Sequence, residues 1–146
     1  MKYADSGFTL IEILVVITIV GIVAAVAVPY YQGYTVRAKL VEVENTMAVV
    51  KTAVSSYRIE KETSWPDCPT INEIRNSLGV ALGIVLRISS LSVDPGTGTI
   101  TATVQNIHTM VDGKSITLTP TLNPDGSFRW TWGWSPDFPM HLRPKH

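Results

Sequence analysis

The sequence predicts an α+β fold. A long amino-terminal α-helix, its hydrophobic half protruding, packs its second half against a four-stranded antiparallel sheet. Three patterns carry this expectation. Residues 8–28 form an apolar run, FTLIEILVVITIVGIVAAVAV, in which Glu12 is the one ionisable group. Helical periodicity then continues as a 3-4-3-4-3 stripe of Leu40, Val43, Met47, Val50, Val54 and Tyr57. After a Pro-rich break come four segments of strand character, separated by turn sequences.

The apolar run comes first. Its 21 residues, at about 1.5 Å each, span roughly 30 Å, the thickness of a bilayer's hydrocarbon core. Apolar side chains occupy every side, so this is not a surface helix with one greasy stripe. A buried core helix would need a small domain to wrap it completely. A discarded secretory signal would have a shorter apolar core, with its small-residue cleavage site behind it. Here the small residue, Gly7, stands in front. A membrane-inserted helix is the reading that fits.

Glu12 is the feature to explain. A carboxylate within a membrane segment costs on the order of 2.5–3.5 kcal/mol near the centre and less toward an end. It can reach headgroup water, or it can have a dedicated cationic partner. Were the chain cut between Gly7 and Phe8, the new α-amino group would stand four residues before Glu12, about one helical turn away. An ammonium and a carboxylate at ~4 Å attract by about 4 kcal/mol at an effective dielectric of ~20, enough to offset insertion. In an assembly of identical helices a neighbour could supply the amine, and the pair would fix axial register.

Gly7-Phe8-Thr9-Leu10-Ile11-Glu12 followed by an apolar run resembles the processing motif of type IV pilins and pseudopilins. The resemblance implies the pilin fold and a structural role. Residues 1–7 would be a leader removed by a prepilin peptidase at the Gly7–Phe8 bond, and Phe8 would be N-methylated. Glu12 and Phe8 would dock subunits during assembly, and Pro29 would kink or melt the helix in the filament. Residues 8–29 would form the transmembrane and filament-core helix, 30–62 its amphipathic half, and 63–146 the globular head. Tyr30, Tyr31 and Tyr34, followed by Arg37-Ala38-Lys39, also look like the family segment after that proline. The leader departs from the usual net basic pattern, because Asp5 counters Lys2.

The amphipathic half follows. Its apolar stripe is expected to pack on the protein's own core, with Lys39, Glu42, Glu44, Lys51 and Arg58 mostly off it. Pro29 can bend or locally unwind the helix by removing a backbone donor. Trp65-Pro66-Asp67-Cys68-Pro69 ends it near Lys61, and Thr70 with Glu73 forms a capping box for a short helix through Ile74 and Leu78. Gly79 or Gly83 stops that helix. Strands are predicted at Ile84–Val93, Thr99–Val104, Ser115–Leu122 and Ser127–Trp132. Asp94–Gly98 and Asn123–Gly126 supply turns between adjacent strands.

The last three strand segments look like those of type IVa major pilins. Such pilins close a carboxyl-terminal loop with a disulfide, whereas Trp132 and the residues up to His146 here include no cysteine. The loop must be held by packing of Trp132, Trp134 and Phe138, or stay mobile.

Composition and missing motifs narrow the function. Twelve basic and twelve acidic residues among 146 leave no net charge, so broad attraction to nucleic acid is not the main function. One cysteine, Cys68, allows neither an internal disulfide nor a multi-cysteine zinc site. Phosphate-loop, zinc-protease and nucleophile-elbow motifs are absent. His108, His141 and His146 lack ligand spacing, and Cys68 lacks the partners of a nucleophile. Trp130, Trp132 and Trp134 alternate along one strand, expected as core and edge packing rather than as a stacking platform for sugar or single-stranded DNA.

The expected protein is therefore not an enzyme and uses no cofactor or metal. The resemblance implies a major-type pilin inserted in the inner membrane, processed by prepilin peptidase, and polymerised by the pilus machinery. Self-association would give an extracellular helical filament for motility, adhesion or DNA uptake. A minor pilin or secretion pseudopilin is the alternative within the superfamily. A membrane-anchored sugar- or peptide-binding module is the rival from another class.

Overall fold

The computed structural model describes residues 7–62, 64–83 and 85–144. The expected leader, apart from Gly7, lies outside the described residues, as do Ile84, Lys145 and His146. The chain divides into two compact units, residues 1–35 and 36–146. One helix, α1 (Leu10–Lys61), contributes to both.

Within the first unit α1 leaves its apolar side chains uncovered, from Ile11 at 71% exposed to Val26 at 67%. Pro29 lies inside α1, which continues through it as helix.

In the second unit the periodicity of α1 becomes a core. Val36, Leu40, Val43, Met47, Val50 and Val54 are buried, all on the face the sequence stripe marks. Each such side chain contributes about 1.5–3 kcal/mol by leaving water. The segment between α1 and the first strand carries a second helix, α2 (Ile71–Leu78). Thr70 is its N-cap, with Oγ1 accepting from the Glu73 N–H at 3.3 Å and donating to the Glu73 carboxylate at 2.8 Å. Gly79 ends α2 in the left-handed conformation at φ 62°. The other candidate stop, Gly83, lies four residues beyond.

Four strands follow, β1 (Ile88–Val93), β2 (Ile100–Val104), β3 (Ser115–Leu122) and β4 (Phe128–Trp134). They pair antiparallel in sequence order. β1 begins four residues later than predicted. Leu86 and Arg87 form a turn there, and the apolar residues before it read as strand only by composition. β4 runs two residues past its predicted end, because Trp134 pairs with Ile116 and Gly133 with Thr117. A Cβ on Gly133 would lie 2.4 Å from Thr117 Oγ1, so the strand continues past Trp132 through a residue without a side chain.

Ile100, Ala102, Val104, Ile116 and Leu118 join the buried stripe of α1 in one cluster. Cys68 is fully buried in that cluster, and the Val93 N–H donates to its carbonyl at 2.8 Å. Burial pushes the thiol pKa up, away from the reactive thiolate.

The carboxyl-terminal segment is held by packing and polar contacts. Phe138 and Leu142 are buried, and the rings of Phe138 and Trp134 lie 4.8 Å apart. The Arg37 Nε donates to the His141 carbonyl at 3.1 Å, and Arg143 Nη2 to the Phe138 carbonyl at 3.0 Å. Lys114 pairs with Asp137. Trp130, Trp132 and Trp134 are partly buried against the core, the packing role the sequence predicts.

Candidate functional site: the amino-terminal segment

The site is built where irregular backbone meets the first turn of α1. Gly7, Phe8 and Thr9 precede the helix without regular structure, and all three are exposed. Phe8 is 81% exposed. The Gly7–Phe8 bond thus lies in accessible, non-helical chain.

Glu12 occupies the first turn and folds back on Thr9. Thr9 Oγ1 donates to Glu12 Oε2 at 3.1 Å and the Thr9 N–H to the same oxygen at 3.3 Å. The Glu12 N–H donates in return to Thr9 Oγ1 at 3.3 Å. This is a reciprocal capping box, and it satisfies backbone donors that the helix start would otherwise leave orphaned in an apolar phase. The carboxylate also sits at the positive end of the helix dipole. While residue 7 is attached, the Phe8 nitrogen is an uncharged peptide N–H, and the hydrogen-bond partner of the acid is Thr9. Sequence reasoning missed Thr9. Its signal was legible as Thr9-Leu10-Ile11-Glu12, the same spacing that marks Thr70 and Glu73.

The structure thus brings Glu12 to Thr9, within a few residues of Gly7 and Phe8, while Pro29 lies almost five helical turns further along α1. No group of three or more histidine, cysteine, aspartate or glutamate side chains that could hold a metal occurs among the described residues. His108 spends its Nδ1 accepting the Met110 N–H at 3.2 Å.

Comparison with known proteins fits this division of the chain. Residues 2–28 match the prokaryotic N-terminal methylation motif, and residues 36–146 match the model of pilin, the bacterial filament protein. The chain belongs to the pilin family. The pilin is 37% identical over 132 residues to the fimbrial protein EcpC of Eikenella corrodens, covering 89% of this chain and 83% of that protein. It is 36% identical over 136 residues to the type IV major pilin protein PilE of Neisseria gonorrhoeae, covering 91% and 77%. The type IV major fimbrial protein FimA of Dichelobacter nodosus aligns over 99% of this chain and 97% of its own, at 29% identity. The pilin is thus a subunit of a type IV filament, not an enzyme, and α1 is long and apolar enough to cross a membrane.

Proposed function

We propose that the pilin is the major structural subunit of a type IV pilus. It waits in the inner membrane through residues 8–29 as a prepilin, loses residues 1–7 to a prepilin peptidase, and enters an extracellular filament that serves motility, adhesion or DNA uptake. The observation that carries this reading is the exposed Gly7–Phe8 bond immediately before the capped start of α1, whose exposed run to Val28 is apolar on every side except at Glu12. Cleavage leaves an ammonium on Phe8, which is then methylated, beside a carboxylate already held by Thr9. The charge pair offsets the cost of Glu12 in an apolar phase, within one chain or between neighbours.

Polymerisation moves the apolar half of α1 from lipid into a bundle of like helices. Both surroundings are apolar, so the gain comes from packing and polar pairing, and the assembly machinery supplies the work. Pro29 lacks the N–H that would close its helical turn, which makes it the point at which α1 melts or kinks in the filament.

The intact mass of pilin from sheared surface filaments tests the reading. A chain beginning at N-methylated Phe8 is expected, and a chain beginning at Met1 refutes it. Gly7→Val is expected to block processing, and a mature chain starting at Phe8 in that variant would refute the assigned bond. Glu12→Ala is expected to insert in the membrane but to yield few or no filaments. Abundant filaments from that variant would refute the pairing role.

A further inference from the structure

On the reading that the first half of α1 spans a membrane, we propose that Tyr30, Tyr31 and Tyr34 form an interfacial anchor. They would dock in the phospholipid headgroup zone and set the depth of α1 in the bilayer. The three side chains are 72%, 70% and 65% exposed. At 100° per residue they fall within one 100° sector of the helix. The rings of Tyr30 and Tyr34 lie 6.3 Å apart at 40°, and Tyr31 stands exposed at the edge of the same sector. A patch of this kind needs an occupant.

Continuity along the helix identifies it. The patch begins two residues after Val28, where the exposed apolar run ends. Leu10 to Tyr31 covers about 30 Å of helix axis, one hydrocarbon thickness, so tyrosines that follow a spanning run fall at the headgroups. The chemistry matches that depth. A tyrosine ring is apolar and its hydroxyl is wet, which is why tyrosine concentrates at membrane–water boundaries. At the other end of the span stand the Thr9–Glu12 box and the Gly7–Phe8 bond. Tyrosines fixed at one interface therefore hold the scissile bond at the opposite one, and a one-turn slip would draw it into lipid.

The test uses the full chain in phosphatidylethanolamine–phosphatidylglycerol vesicles, with a nitroxide on Gln32→Cys, which lies off the tyrosine sector. Cys68 is buried, and the chain without the added cysteine serves as the labelling blank. Label depth is read from accessibility to oxygen against a nickel chelate. The expected result is an interfacial label in the parent chain. It should be displaced by up to about one helical turn, ~5 Å, when all three tyrosines become Ala. Replacement by Trp, also an interfacial residue, should restore the parent depth. Replacement by Phe, which keeps the apolar ring and so keeps insertion, should draw the label deeper.

Unchanged depth in both the Ala and Phe variants overturns the anchor alone. A loss of filaments at that unchanged depth would assign the patch to a second copy of the chain. A parent chain that fails to insert overturns the membrane-spanning reading and the anchor with it.

Discussion

Thr9 and Glu12 share one cap, yet their replacements should part company. Thr9→Ala removes the N-cap hydroxyl but keeps the acid. It is expected to weaken the first turn of α1 by about 1 kcal/mol, measured as faster amide exchange at residues 11–13 in micelles, while filaments still form. Glu12→Ala removes half of the cap and the whole charge, and filaments should fail. If both variants lose filaments equally, capping rather than charge is what assembly requires. Gly98 is a second informative position. It holds φ 72°, and a Cβ there would lie 2.4–2.7 Å from ring atoms of Trp65. Trp65 is itself flanked by Phe128 at 5.4 Å and by the Arg58 guanidinium at 5.3 Å, which limits its room to retreat. Gly98→Ala is expected to destabilise the pilin by about 2 kcal/mol or more, read as a lowered thermal midpoint of the full chain in detergent.

The elements differ in how plainly the sequence announces them. The buried stripe of α1 was legible because only one face repeats at helical spacing, and Thr70 and Gly79 bracket α2 by capping chemistry alone. The ends of β3 were legible because Ile116 and Leu118 alternate with threonine and the Asn123–Gly126 turn follows Leu122, although Leu122 itself is exposed. The start of β1 was not, since apolar residues before a turn resemble strand until the pairing partner is known. Burial of Cys68 was equally hidden, because a proline-rich loop gives no sign that its backbone bridges to Val93. At the site, the Gly7–Glu12 motif was read, but Thr9 was not, because a cap hydroxyl is recognisable only once the start of the helix at Leu10 is fixed. Met47→Ala tests the stripe. Met47 is fully buried in the middle of it, and the variant should lose about 2–5 kcal/mol of stability, measured by denaturant unfolding of the full chain.

For the molecule as a whole, acid is the expected weak point. Backbone N–H groups of Thr97 and Gly96 hold the Asp94 carboxyl below its ordinary range, and Ser127 does so for Asp125. The Lys114 ammonium does the same for Asp137. A carboxyl whose folded pKa is depressed contributes stability that is present above its unfolded value and lost as pH falls through the folded one. The contribution of these three carboxyls should therefore be present above about pH 4 and be lost as pH falls below it. The carboxyl-terminal segment should become protease-sensitive on that descent, and Lys114→Met should lessen the acid dependence of that cleavage. Equal acid sensitivity in the variant would show that Phe138, Leu142 and the Arg37 and Arg143 contacts secure the segment without the Lys114–Asp137 pair.

Fastening that segment with aromatic rings and guanidinium contacts, in a chain whose one cysteine is buried, frees the pilin from any dependence on thiol oxidation. Its head needs no oxidoreductase to mature, and dithiothreitol should leave its melting curve where it was. A filament built from such heads would keep its tips and flanks intact in reducing surroundings that would unclasp a cystine-bound relative.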